Sequence, residues 1–169
     1  MQKGFFSAFE TPVDFVNKLR AVFYIMVGVT LPIFLFTYLK SRNGEFEPSF
    51  PELAEQLKYI VPILCGINSI IAYWLYEKRI RAARELPSLR IKLEEVLRGS
   101  FYKFAMLETT TILTIVAYLL TGHILFAGVY IGMLILFAMS NPTVYSVIAD
   151  LRLPKKEAEI MKGNLSLEG

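Results

Sequence analysis

Four long apolar blocks alternate with polar, charged segments along the chain. They cover residues 19–39, 59–76, 104–121 and 124–140, and they lack the recurring polar positions of a helix with one face in water. At about 1.5 Å per residue, the first block is about 30 Å long as a helix, which matches the hydrocarbon core of a bilayer. The pattern therefore predicts an all-α polytopic membrane protein, a bundle of four transmembrane helices.

The third and fourth blocks are separated only by Gly122 and His123. A single helix through both blocks would be far longer than a bilayer is thick. We therefore expect two helices that form a tight antiparallel hairpin.

Positive charge is distributed unevenly between the two sides of the predicted bundle. The N-terminal segment, the segment between the second and third blocks and the C-terminal tail carry 15 of the 18 Lys and Arg residues, and the opposite side carries three. Because positive charge near short loops resists translocation, both termini are predicted to be cytoplasmic, in a bacterial inner membrane. The 15 are Lys3, Lys18, Arg20, Lys78, Arg79, Arg81, Arg84, Arg90, Lys92, Arg98, Lys103, Arg152, Lys155, Lys156 and Lys162; the three are Lys40, Arg42 and Lys58.

Two cytoplasmic segments show helical patterns of their own. In the loop 77–103, Leu89, Leu93 and Leu97 recur on one face opposite charged residues, which predicts an amphipathic helix. The tail carries a similar apolar stripe that includes Val147. The predicted organisation is a transmembrane domain at 1–141 and a cytoplasmic helical tail at 142–169.

Capping signals predict where helices begin. Thr11 followed by Pro12 and Asp14 predicts the start of the first helix. A similar pattern before Pro51 predicts that the second helix starts ahead of its apolar block. Asn141, followed by proline, is expected to end the fourth helix and cap the next one.

Composition removes several classes of function. The net charge of +3 is small and the basic residues flank the apolar blocks, so nucleic-acid binding is not indicated. One cysteine, Cys65, and one histidine, His123, provide no disulfide, no paired-histidine haem ligation and no ordinary zinc site from this chain alone. Catalytic sequence motifs are also missing, so we expect no enzyme activity, no cofactor and no metal.

Glu108 is the carboxylate that stands inside an apolar block. An ionised group in hydrocarbon costs at least about 3 kcal/mol, and such residues usually face a bundle interior or a polar path. One interpretation is a proton or cation site, with Thr111 supplying a hydroxyl and Asn68 a polar group on the second helix. The alternative is a structural ion pair with Lys103 or Arg79, and the sequence leaves both open.

Small residues predict close contacts between helices. Cys65 and Ser69 lie on one stripe of the second helix, and Gly128 and Gly132 form a GxxxG motif in the fourth. Whether the glycine contact lies within the bundle or between subunits is left open. Tyr130, between the two glycines, is expected to be buried with a partner for its hydroxyl.

Two functional hypotheses follow. The first is a protein that works by association, as an accessory subunit or membrane scaffold, because its cytoplasmic helices carry apolar stripes that look exposed. Its partners would be the lipid bilayer and either another membrane protein or a second copy. The alternative is a homo-oligomeric transporter or channel that uses Glu108.

Overall fold

The computed structural model describes residues 9–163 together with Leu165 and Leu167. These residues form helices joined by short connections and contain no strand, which confirms the all-α prediction. Lys3, one of the residues used to predict topology, lies outside the described part. The elements are α1 (Pro12–Arg42), a 3₁₀ turn (Pro51–Leu53), α2 (Ala54–Arg84), α3 (Leu89–Thr121), α4 (Ile124–Met139), α5 (Val144–Leu151) and α6 (Lys155–Gly163).

Three of these helices are long and apolar enough to cross a membrane by themselves. They are α1, α2 with its preceding 3₁₀ turn, and α3, each with more than 30 residues. The 16-residue α4 meets the same test only together with α5. The described chain therefore has three to four candidate spans, which is compatible with a membrane protein.

The first helix begins where its capping residues predict. The Thr11 hydroxyl accepts the Asp14 backbone N–H at 3.2 Å, and the Asp14 carboxylate accepts the Thr11 N–H at 3.1 Å. This reciprocal pair satisfies two backbone donors at the helix start, and Pro12 needs no partner there. The second helix also starts close to the expected position, with the 3₁₀ turn at Pro51.

The cap of α5 differs from the prediction. Thr143, rather than Asn141, accepts the backbone N–H of Ser146 at 3.0 Å, and the Ser146 hydroxyl accepts the Thr143 N–H at 2.9 Å. At this cap a serine therefore stands at the third helical position, as Asp14 does in α1. The Asn141-Pro142 pair lies in the connection that follows α4.

The predicted cytoplasmic loop 77–103 is mostly the continuation of two long helices. α2 extends to Arg84 and α3 begins at Leu89, so only four residues connect them. Pro87 cannot continue α2, and the Ser88 hydroxyl accepts the Ile91 N–H at 3.4 Å at the start of α3. The amphipathic segment is thus the first part of α3 rather than a separate helix.

The described parts of segments 1–24, 73–103 and 141–169 form one compact unit, here called the basic unit. Leu93, Val96 and Leu97 of α3 are fully buried in the structure, and so are Val147 and Leu151 of α5. Val144 and Ile148 of the tail stripe are half-buried, so both apolar stripes are largely covered within the chain and expose less surface than the sequence suggested.

Polar contacts hold the tail helices α5 and α6 in the basic unit. The Lys92 ammonium, only 7% exposed, lies 2.9 Å from the Glu157 carboxylate of α6. The Tyr76 hydroxyl donates to the Asp150 carboxylate at 2.7 Å, and Arg84 donates to the Asp150 backbone carbonyl at 2.9 Å. The tail helices are thus held by charge-assisted hydrogen bonds.

Residues 25–72 and 104–140 form a second compact unit, here called the apolar unit. At the hairpin between α3 and α4, Gly122 has φ +66 and its N–H donates to the Tyr118 carbonyl at 2.7 Å. Nearby, the Phe50 N–H donates to the Leu120 carbonyl at 2.8 Å. The two-residue connection predicted between the third and fourth helices is confirmed.

Replacing Gly122 with alanine is expected to destabilise the protein. The left-handed backbone costs a non-glycine residue about 1–2 kcal/mol, and the new Cβ would lie 2.6 Å from Pro48 Cγ. Gly128→Ala is the matched control, because that glycine is helical and a Cβ there meets nothing within 4 Å. Thermal unfolding in detergent should show a lower midpoint for Gly122→Ala alone; equal midpoints for the two variants would contradict this account.

Candidate functional site

Glu108 and Thr111 lie one turn apart on α3 and contact each other. Glu108 is half-buried and Thr111 is fully buried. The Thr111 Oγ1 atom lies 2.8 Å from the Glu108 backbone oxygen and 3.2 Å from its carboxylate Oε2. Because a hydroxyl has one hydrogen, Thr111 donates to only one of these oxygens at a time. The structure thus brings together two of the three residues predicted for an ion or proton site.

Two further hydroxyls lie beside this carboxyl group, and sequence analysis did not assign them to the site. They belong to Thr30 of α1 and Tyr130 of α4, whose residues are 2% and 0% exposed. The Thr30 hydroxyl interacts with both the Glu108 carboxyl group and the Tyr130 hydroxyl, and Tyr130 interacts electrostatically with Glu108. Neither hydroxyl makes a hydrogen bond of good geometry to a described residue, so the Tyr130 hydroxyl has Thr30 as a polar neighbour but no well-formed hydrogen bond.

Packing within the apolar unit fixes the position of Tyr130. Its ring stacks on Phe34 with centroids 4.0 Å apart, and Phe34 is one helical turn beyond Thr30 on α1. Residues four apart share one face of a helix, so Phe34 and Thr30 both face inward. The same helix therefore supplies the ring that holds Tyr130 and a hydroxyl beside it.

The oxygen cluster formed by Glu108, Thr111, Thr30 and Tyr130 has a definite chemical character. Its members provide one carboxylate and three hydroxyls, all hard oxygen donors that suit a proton or a hard cation. A buried polar group without a partner costs about 1–3 kcal/mol. Two such groups beside one carboxyl group are unusual, since most buried polar groups are paired. The described residues contain no group of three or more His, Cys, Asp or Glu side chains able to hold a metal ion.

The candidate ion-pair partners of Glu108 are engaged within the basic unit. The Arg79 Nε atom lies 3.5 Å from the Glu95 carboxylate, and the Lys103 ammonium lies 4.1 Å from the Tyr76 ring centroid. Within the apolar unit, the described residues offer Glu108 no ion-pair partner. The contacts of Glu108 in that unit are thus with hydroxyls.

Asn68, the third residue predicted for the site, is placed differently. Its Nδ2 atom donates to the Met106 carbonyl at 2.7 Å, across from α2 to α3. It lines a surface groove with Thr109 and Thr110, and Glu108 does not line that groove. The structure therefore separates Asn68 from the oxygen cluster.

Cys65 and Ser69 are buried where α2 packs on other helices. The Cys65 Sγ atom lies 3.9 Å from the Thr110 carbonyl of α3, and the Ser69 hydroxyl lies 3.8 Å from the Met133 sulfur of α4. These contacts agree with a packing role for both residues.

Gly128 and Gly132 are both exposed on α4. A Cβ added at either position would meet no atom within 4 Å among the described residues. The close helix contact that a GxxxG motif favours is therefore not made within the described chain at this face.

Comparison with known proteins identifies no relative. No family model, no curated protein and no solved structure matches the chain. Function must therefore be inferred from the geometry of the site itself.

The unpaired state of the Tyr130 hydroxyl leads to a stability prediction. Tyr130→Phe should leave the thermal midpoint in detergent unchanged or raise it, because no hydrogen bond of good geometry is lost. Tyr76→Phe is the matched control, since it removes a hydroxyl bonded to a carboxylate and should cost about 1.5–3 kcal/mol. A large loss of stability in Tyr130→Phe would show that its hydroxyl has a partner.

Proposed function

We propose that the protein is an integral membrane protein that takes up a proton or a small monovalent cation at Glu108, as a homo-oligomeric transporter or channel. The main support is the oxygen cluster: a carboxyl group with no ion-pair partner in its unit, beside two buried hydroxyls that make no hydrogen bond of good geometry with the described residues. A structural carboxylate would be expected to have a cationic partner in such a place.

Charge balance selects the class of ligand. An ionised carboxylate in hydrocarbon is unfavourable, and a proton or a monovalent cation brings its net charge to zero. A divalent cation would leave a net charge of +1, because the cluster has one carboxylate. The oxygen donors and the single charge therefore favour a proton, Na⁺ or K⁺.

The hydroxyls can serve both states of the carboxyl group. When Glu108 is ionised, the O–H groups of Thr111, Thr30 and Tyr130 are hydrogen-bond donors that lie beside it. When Glu108 is protonated, it becomes a donor and a hydroxyl oxygen can accept its hydrogen. Thr111 can return its own hydrogen to the Glu108 backbone oxygen, at 2.8 Å. The site can thus be loaded and emptied without leaving the carboxyl group unpartnered.

Association remains the second candidate function, as an accessory subunit or membrane scaffold. It is favoured by the outer face of α2, where Ile63, Ile67, Ile70 and Ile71 are exposed in the structure. Lipid also covers such a face, and the apolar stripes that first suggested docking are largely buried. We therefore place this function behind uptake at Glu108.

We further propose that both termini are cytoplasmic in a bacterial inner membrane, which the 15 to 3 distribution of Lys and Arg supports. A single cysteine at exposed Glu47 or exposed Lys156 can test this in a Cys65→Ser background. An impermeant maleimide added to intact spheroplasts should label Glu47→Cys and spare Lys156→Cys. The reverse result would overturn the topology.

Glu108→Gln is expected to lower flux at least about tenfold, because the amide keeps the shape of the side chain but cannot take up a proton or neutralise a cation. The measurement uses purified protein in lipid vesicles, with a pH-sensitive dye inside for protons and radioactive Na⁺ or Rb⁺ for cations. Thermal unfolding of the variant should match the wild type.

Thr109→Val is the matched control for this experiment. Thr109 is the next residue on α3, but it is exposed and its hydroxyl donates to the Ala105 carbonyl of the same helix at 2.9 Å. Its flux should equal that of the wild type. Equal flux in Glu108→Gln would remove Glu108 from the mechanism, and wild-type vesicles without flux of any probe would favour the association function.

A further inference from the structure

A groove lies on the surface of the apolar unit between α2 and α3, with a volume of about 320 Å³. Most of its lining is apolar, including Leu64, Ile67 and Ile71 of α2 and Leu113 of α3. Asn68 is the one amide in this lining, and it is half-buried. It is also the tenth residue of the apolar block 59–76, which puts it near the middle of the predicted span.

The Asn68 amide has only part of its possible hydrogen bonds. An asparagine amide has two N–H donors and one carbonyl oxygen that can accept. One donor is bound to the Met106 carbonyl at 2.7 Å, and the described residues provide no partner for the second donor or for the oxygen. Asn68 therefore presents both a donor and an acceptor to whatever fills the groove.

The neighbouring hydroxyls do not supply the missing hydrogen-bond partners of the Asn68 amide. Thr109 donates to the Ala105 carbonyl, and Thr110 donates its one hydrogen to either the Met106 or the Leu107 carbonyl of its own helix. Lipid chains can fill the apolar part of the groove, but they cannot accept or donate a hydrogen bond. An occupant that satisfies Asn68 must bring a polar group to the same depth of the membrane.

A second copy of this chain brings such a group by symmetry. In a two-fold dimer the same surface patch faces itself, and a residue on the axis meets its own copy, so an axis that passes through Asn68 brings the two amides together. Two amides can then exchange reciprocal N–H to oxygen bonds, as single buried asparagines do in helical dimers. The surrounding isoleucines and leucines would pack around this pair.

From this self-complementary amide we infer that the α2–α3 groove is the interface for a second copy of the chain, with the Asn68 amides paired across a two-fold axis. The inference uses residues outside the oxygen cluster and does not depend on uptake at Glu108. Sequence analysis proposed self-association without locating its surface, and this groove is that surface.

Site-specific cross-linking in native membranes tests this interface. Single cysteines are placed at Ile67 and Ile71, which line the groove and are exposed, in a Cys65→Ser background. Ile135 of α4, beside the glycine motif, and Val29 of α1 are equally exposed control positions outside the groove. Oxidation should give a product of twice the 19.3 kDa chain mass at Ile67→Cys and Ile71→Cys, and little at the control positions.

Asn68→Leu in the Ile71→Cys chain should weaken self-association roughly three- to fifteenfold, the range expected for one interhelical polar pair in a membrane. Since Asn68 also bonds to Met106, thermal unfolding of that variant is measured alongside. If Asn68→Leu does not fold, chains that keep Asn68 still test the interface, because cross-linking at the groove cysteines is compared with cross-linking at the control cysteines. Greater cross-linking at Ile135 or Val29, a product containing another polypeptide, or no product at the groove would each overturn the proposal.

Discussion

Hydrocarbon offers no hydrogen bonds, so a helix that crosses it must satisfy its polar groups from the protein. The threonines of the apolar part of α3 follow this rule closely. Thr110, Thr114 and Thr121 each donate to a carbonyl three or four residues earlier on the same helix, at 2.6–3.0 Å. Polar side chains that serve only their own helix are therefore compatible with lipid and require no further function.

Against this background, the groups that remain unsatisfied become informative. The hydroxyls of Thr30 and Tyr130 make no hydrogen bond of good geometry with the described residues, and they lie beside the carboxyl group of Glu108. The Asn68 amide, in the groove between α2 and α3, makes one hydrogen bond and leaves its second N–H and its oxygen without a partner among the described residues. The first set suggests a small ligand inside the chain and the second suggests a second chain. Both proposals use the same physical rule on different surfaces.

Sequence analysis recovered the features that depend on local pattern, and it failed where tertiary packing decides. The apolar blocks and the Thr11 cap need only neighbouring residues, so both were predictable. The burial of Leu93 and Leu97 was not, because a stripe looks the same whether it meets its own chain or a partner. Thr30 was missed for a similar reason: a lone threonine in an apolar helix gives no sign that it will lie beside Glu108.

The most direct test of a working carboxyl group at Glu108 is its infrared absorption, taken as the difference between wild type and Glu108→Gln in lipid. The spectrum is recorded while pH, Na⁺ and K⁺ are varied at constant ionic strength. Our account predicts a carboxyl band that changes reversibly with pH or with one of the cations. A band that stays constant under all of these conditions would show that Glu108 is a fixed structural group and would contradict the proposed function.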